Sequence, residues 1–252
     1  MKLQDRVVVI TGSGGGLGEA CAHRFAAEGA KVVITDLDPA GVERVSAAVG
    51  GVGLATDITV EGNVRAVADL ARRAYGEIDI WFSNAGASGP DQPGEIQENA
   101  RWAAAWELHV MAHVYAAREV LPAMLARGDG YLIQTASLVG LAVHPHKATY
   151  SVTKHAAVAF SEWLAITYRG RGIKVSCFCP GAMLTPMLLD EFPAGHPVLR
   201  NAARPDDVAG QLVAAIDREA FLIVDSPAGQ QALQARATDF DAWIDQAATP
   251  LP

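Results

Sequence analysis

Tyr150 and Lys154 stand four positions apart in the run Tyr150-Ser151-Val152-Thr153-Lys154, a spacing that puts both side chains on one face of a helix. A phenol with an ordinary pKa of about 10 is a poor base at neutral pH. A neighbouring ammonium favours the phenolate and lowers that value, which suits the pair to moving a proton to or from an oxygen. Ser137 comes thirteen positions earlier, just after the apolar run 131–135. Taken alone it reads as an ordinary strand-end hydroxyl; beside Tyr150 and Lys154 it reads as a third member of the same site.

The segment Thr11-Gly12-Ser13-Gly14-Gly15-Gly16-Leu17-Gly18 follows the first apolar run and leads into a helical pattern. Glycines permit a tight turn and close backbone approach, and a helix N-terminus offers a pyrophosphate unpaired N–H groups and a favourable dipole. On its own a glycine-rich loop is only a turn. The strand before it and the helix after it give the context of a dinucleotide site. Asp36 closes the second run, eighteen residues beyond Gly18. A carboxylate there accepts hydrogen bonds from both hydroxyls of an adenosine ribose and repels a 2′-phosphate. No Lys or Arg lies within the turn to offset that repulsion, so NAD is expected over NADP. The bland alternative for Asp36 is a helix N-cap or turn residue.

These groups need a scaffold, and the chain supplies a regular one. Short β-branched runs at 7–11, 31–35, 53–56, 79–83, 131–135, 174–178 and 221–224 alternate with helical patterns near 17–28, 40–49, 61–75, 99–127, 148–169 and 205–218. Most runs are solidly apolar, as in strands covered on both faces. The alternation implies right-handed crossovers and a single-domain, Rossmann-like α/β fold over 1–252, a doubly wound seven-stranded parallel sheet with helices on both faces. Loop-rich stretches at 87–97 and 180–203 contain Pro90, Pro93, Pro186, Pro193 and Pro197. Both follow strands and belong at the carboxyl edge, where open α/β sheets bind ligands. Residues 226–246 read as one helix with a frayed tail.

With 252 residues, 50% hydrophobic and 19% charged, the chain can bury a core and does not have the composition of a disordered one. A net charge of −8 gives no general attraction to nucleic acid or anionic lipid. The apolar segment 7–10 is too short to span a membrane and no cleavage-site pattern follows it, so a cytoplasmic protein is expected. Cys21, Cys177 and Cys179 make no disulfide framework; the latter two share a strand face without the geometry for a bridge. All three suit a reducing compartment. His23, His113, His155 and His196 read as surface or packing residues, and nothing spaces the histidines as metal ligands.

With these residues in view, the chain resembles the short-chain dehydrogenase/reductase family along almost its whole length. The resemblance runs, in order, through Thr11-Gly12…Gly16…Gly18, Asp57, Asn84-Ala85-Gly86, Ser137, Tyr150…Lys154 and Pro180-Gly181…Thr185. It implies an NAD(H)-dependent interconversion of a secondary alcohol and a ketone. Tyr150 would be the general acid/base, Ser137 would hydrogen-bond the substrate oxygen, and Lys154 would also hold the nicotinamide ribose. Asp57 would bind adenine, Asn84 and Gly86 would steady the cofactor-side strand end, and Thr185 would bind the carboxamide. Gly12, Ser13, Gly16, Leu17, Gly18, Ile58, Ala85, Pro180, Gly181 and Met183 complete the implied cofactor contacts. The resemblance also implies a homotetramer or homodimer, in which the helix bearing Tyr150 meets its counterpart through 156–160 and Trp163-Leu164. From sequence alone those residues could equally bury against the sheet.

One position departs from the family pattern. Where the family usually has an asparagine that holds a water in the proton relay to lysine, alignment within 106–112 places His109. Imidazole can also hold a water, but it can titrate near neutrality, so an added pH dependence below about 7 is expected. A damaged relay would instead leave a dinucleotide-binding pseudoenzyme or regulatory subunit, which is the alternative function; intact Ser137, Tyr150 and Lys154 argue against it. Met183, Met187, Leu188 and Phe192, with Trp102, can form an apolar lid over a lipophilic secondary alcohol. Packing against the sheet or a neighbouring subunit explains them equally well. His144 and His146 lie in the segment expected to line the substrate pocket, where a solvent-facing role is at least as apt.

Overall fold

The computed structural model describes residues 1–88 and 97–248, so the expected loop around Pro90 and Pro93 lies outside the described residues. Seven strands form one sheet: β1 (Val7–Thr11), β2 (Lys31–Asp36), β3 (Val52–Ala55), β4 (Ile80–Ser83), β5 (Gly130–Thr135), β6 (Ile173–Cys179) and β7 (Leu222–Val224). Their order is β3-β2-β1-β4-β5-β6-β7, and every pairing is parallel. β1, β4 and β5 are buried at every position, as strands rich in apolar residues must be when helices cover both faces. β3 instead alternates half-buried and exposed positions, because it is the edge strand.

The helices are α1 (Gly16–Ala27), α2 (Pro39–Val49), α3 (Glu61–Tyr75), α4 (Asn99–Trp106), α5 (Ala112–Arg127), α6 (Ala148–Tyr168), α7 (Pro186–Glu191), α8 (Pro197–Asn201), α9 (Pro205–Asp217), α10 (Pro227–Thr238) and α11 (Phe240–Ala247). Local chemistry sets their ends. In α2, Asp38 accepts the Ala40 and Gly41 N–H groups at 3.1 Å, Pro39 pre-sets the first turn, and Gly50 at φ 65° ends the helix in the left-handed region. On one face of the sheet Phe25 of α1 with Leu212 and Ile216 of α9 belong to one core with Ile10, Phe82, Ile133 and Phe178. On the other, Val67 of α3, Val120 and Met124 of α5 and Leu164 of α6 join Val9, Trp81, Leu132 and Val175. Each such side chain fully buried is worth about 1.5–3 kcal/mol, and together they hold the carboxyl ends of β1, β4 and β5 level. β1 lies between β2 and β4, so the direction of winding reverses there and a crevice opens beyond the strand ends.

Two helical expectations need correction. The pattern near 99–127 is α4 and α5 joined by a π-helical turn over Glu107–Met111, the wider turn that often marks a functional position. Residues 226–246 are two helices, broken at Asp239. That residue is extended (φ −149°, ψ 104°), and its side chain accepts the Ala242 N–H at 3.0 Å to start α11. No helix among the described residues is long and apolar enough to cross a membrane.

Candidate active site

A cleft of about 940 Å³ opens at the crevice between β1 and β4. Its floor is the glycine turn. Gly12 and Gly16 adopt φ 64° and 55°, and a Cβ on Gly18 would fall 2.1 Å from the Gly12 carbonyl oxygen, so only glycine lets α1 start so close to β1. Gly15 is the N-cap and no side chain caps α1; the space where a Gly15 Cβ would lie is empty. Uncapped N–H groups beside open space form an anion cradle. Asn84 ties β4 to that turn: its Nδ2 donates to the Thr11 and Gly12 carbonyls at 3.0 and 3.1 Å. The Asn84 and Ala85 amides both donate to Thr11 Oγ1 at 3.0 Å.

Asp36 stands at the end of β2 on the cleft wall. Its Oδ2 accepts the Gly14 N–H at 2.9 Å and its Oδ1 the Asp38 N–H at 3.1 Å, so it both braces the turn and presents a carboxylate to the cleft. Arg44 reaches the turn from α2, donating to the Gly14 carbonyl at 2.9 Å, but its guanidinium is also held by Glu19. Asp57 and Ile58 line the same half of the cleft; Asp57 Oδ1 accepts from the Thr59 amide and hydroxyl at 2.9 and 2.7 Å. Ser13, by contrast, does not line it. The buried Ser13 hydroxyl donates to Ile10 at 2.7 Å and accepts the Thr35 N–H at 3.1 Å, while its own N–H donates to the Thr35 carbonyl at 3.2 Å. Ser13 therefore staples β1 to β2, and neither its hydroxyl nor its N–H is left for a ligand. The shape and donor set of this half suit a dinucleotide: the α1 cradle would take a pyrophosphate and the Asp36 carboxylate a ribose.

At the other end of the cleft Ser137, Tyr150 and Lys154 come together, with Pro180, Gly181, Met183 and Thr185 on the facing wall. Lys154 is 2% exposed. Its Nζ donates to the Thr135 carbonyl at 2.9 Å and lies 5.6 Å from the centre of the Tyr150 ring. Burial lowers the Lys154 pKa to about 8. For Tyr150 burial has the larger effect and holds the phenol above its ordinary value, while the Ser137 hydroxyl pulls it down. The expected lowering by Lys154 is not seen in the protein by itself: Ser137, not Lys154, is the group that pulls the phenol down, and the phenol keeps its proton at neutral pH.

His109 does not line the cleft; it backs it, 1% exposed within the π-helical turn. Thr153 Oγ1 donates to the Thr149 carbonyl at 2.8 Å and so accepts from His109 Nδ1 at 2.9 Å. His109 Nε2, left as the acceptor, takes the Ala87 N–H at 3.2 Å. The ring lies edge-on to Tyr150, with centroids 5.4 Å apart. Burial, with Lys154 nearby, pushes its pKa down to about 2. That overturns the expectation of titration below pH 7: the ring stays neutral and joins the loop after β4 to α6.

Met183, Met187, Leu188 and Phe192 line the substrate end as expected, but Trp102 does not; Ala104 and Leu108 take its place. His144 lines the cleft, whereas His146 instead stacks edge-on to His144 at 5.9 Å. Lys147, Glu191 and Ser88 also border the cleft, unforeseen because they meet only through tertiary structure. The Cys177 and Cys179 sulfurs lie 3.7 Å apart, a thiol–thiol hydrogen bond rather than a disulfide. Among the described residues no cluster of His, Cys, Asp or Glu is arranged to hold a metal.

A family model described as short chain dehydrogenase matches residues 6–194. A 1-deoxy-11-beta-hydroxypentalenate dehydrogenase of Streptomyces exfoliatus is 36% identical over 228 residues, 88% of this chain and 81% of the relative. A cyclohexanol dehydrogenase of Acinetobacter sp. strain SE19 is 29% identical over 222 residues, 84% of this chain and 88% of the relative. The crystal structure of a short chain dehydrogenase/reductase from Burkholderia phymatum in complex with NAD superposes with a TM-score of 0.87 at 27% identity, covering 100% of this chain and 99% of that one.

Proposed function

The chain belongs to the short-chain dehydrogenase family, and from that premise we propose that Tyr150, Ser137 and Lys154 carry its reaction, with NAD preferred over NADP. The protein is an oxidoreductase that interconverts a secondary alcohol and a ketone. Bound nicotinamide dinucleotide supplies the hydride donor or acceptor, and in its oxidised form a positive ring. Tyr150 gives its phenolic proton to the nascent alkoxide in reduction and recovers one from the substrate hydroxyl in oxidation. Ser137 donates a hydrogen bond to the same oxygen, and the Lys154 ammonium would hold the nicotinamide ribose. The observation that carries this reading is the meeting of these three side chains at the mouth of a glycine-floored cleft.

Asp36 supports the NAD preference through its carboxylate at the ribose end. The apolar walls from Leu108, Met183, Met187 and Leu188 suit a lipophilic cyclic alcohol, the class named for the cyclohexanol relative. A homotetramer or homodimer is favoured by α6. Ala157 and Leu164 are buried against the sheet, but Val152, Trp163 and Ile166 stand 49%, 52% and 85% exposed, at spacings that share one helix face. Light scattering that finds only monomer at micromolar concentration contradicts that assembly. The cytoplasm is the compartment that three free cysteines suit.

NADH fluorescence titration followed by a panel of cyclic alcohols and ketones tests the function. Saturable binding with turnover is expected; binding without turnover on the whole panel favours the pseudoenzyme reading.

A further inference from the structure

Segment 184–202 is an arch across the substrate end of the cleft. Its base is closed by a bridge between Met183 and Ala203, with the Leu184 N–H on the Ala203 carbonyl and the Ala203 N–H on the Ala182 carbonyl, both at 2.9 Å. Its crown is weakly seated. α7 and α8 contain no buried residue, Met187 and Leu189 are 44% and 52% exposed, and Phe192 stacks within the arch on His196 at 4.5 Å. Among the described residues one polar tie joins this crown to the body: Glu191 Oε1 to Lys147 Nζ. The tie is shielded, the two side chains being 11% and 20% exposed. Lys147 is the N-cap of α6, three residues before Tyr150, and its ammonium also donates to Ser88 Oγ at 2.6 Å.

We propose that the Lys147–Glu191 pair is the latch that holds this arch closed over the substrate, and that both are positioning residues for the reaction. A shielded ion pair resists solvent screening far better than a surface pair, and among the described residues it is the one ion pair between the crown and the body. Five neighbouring elements bring groups toward the Tyr150 phenol: Lys154 from α6, His109 from the π-helical turn, Ser137 after β5, Cys179 from β6 and Glu191 from α7. Glu191 raises the phenol pKa, and the ammonium paired with it carries the opposite charge. Removing either partner therefore moves the Tyr150 titration in opposite directions.

The kinetic consequence rests on the oxidoreductase reading above; the latch itself does not. The test is a double-mutant cycle of Glu191→Gln, Lys147→Met and the pair together, with hydrogen exchange over 184–202, steady-state kinetics on a cyclic ketone and pH–rate profiles. Each single variant is expected to lose protection over 184–202 at least fivefold and to raise KM about five- to tenfold with kcat within about twofold. The double variant is expected to be no worse than Lys147→Met alone, which also loses the bond to Ser88. The profile is expected to move to lower pH in Glu191→Gln and to higher pH in Lys147→Met. Unchanged exchange in Glu191→Gln, or losses that add in the double variant, overturn the latch. If the parent turns over no ketone, the oxidoreductase reading falls while the exchange arm still decides the latch.

Discussion

His113→Leu removes a buried imidazole that has no hydrogen-bond partner among the described residues. His113 is 1% exposed in a small pocket with Trp81, Ser83 and Ala112, and neither ring nitrogen finds a partner among the described residues. Burial, with Lys154 nearby, pushes its pKa down to about 3; one turn earlier, His109 is pushed to about 2. Both rings are therefore neutral in the fold, whereas in the unfolded chain each takes up a proton around pH 6.5. Below that pH the unfolded state binds more protons than the native one, so stability falls as pH falls. Each histidine contributes about 1.4 kcal/mol of loss per pH unit until its folded-state value is reached. Between pH 7.5 and 5.0 that is about 2 kcal/mol from His113 and about 4 kcal/mol from the two rings. At neutral pH the variant also sheds two unpartnered buried polar atoms, each costing about 1–3 kcal/mol, while keeping a side chain of similar size. Urea unfolding at pH 7.5, 6.0 and 5.0, followed by circular dichroism, measures both effects. His113→Leu is expected to be at least as stable as the parent at pH 7.5 and to lose about 2 kcal/mol less on going to pH 5.0. Equal acid losses in the two proteins refute a neutral, buried His113.

Asp36→Ser removes the carboxylate at the ribose end, and NADPH affinity measured by fluorescence titration is expected to improve at least about tenfold, since like charges at about 4 Å repel by up to about 4 kcal/mol near a surface. Some NADH affinity is lost with the Gly14 tie; an unchanged NADPH affinity contradicts the role given to Asp36. His109→Asn is expected to leave the shape of the pH–rate profile between pH 5.5 and 8 unaltered, because the parent ring does not titrate there. The same variant is expected to lose about 1–2 kcal/mol of stability with one of its two hydrogen bonds, and a new acid limb confined to the parent profile refutes the neutral ring.

The parallel sheet was legible because runs such as Val7-Val8-Val9-Ile10 are apolar without alternation, and the glycine turn because Gly12 and Gly18 do work that only a missing Cβ permits. Tyr150 and Lys154 could be paired from spacing alone, since a helix fixes what lies at i+4. Ser13 misled for the reason that motifs do: its position in the turn was right, but its hydroxyl is spent between β1 and β2. The chemistry of His109 was beyond sequence because an imidazole’s pKa depends on burial and on the partners at each nitrogen, here Thr153 and Ala87. The π-helical turn adds one residue to a regular period without a distinctive residue type to announce it. Lys147 and Glu191 are 44 positions apart, and only the folding of the arch onto the head of α6 makes them neighbours.

Tyr150→Phe addresses the centre of the account, since it removes one oxygen and leaves the ring beside His109 and Lys154. NADH affinity within about twofold of the parent, with kcat on a cyclic ketone reduced at least about 10³-fold, is the predicted result for loss of the proton-transfer group. A Tyr150→Phe protein that binds NADH normally and turns over at the parent rate would mean that the phenol is not the acid.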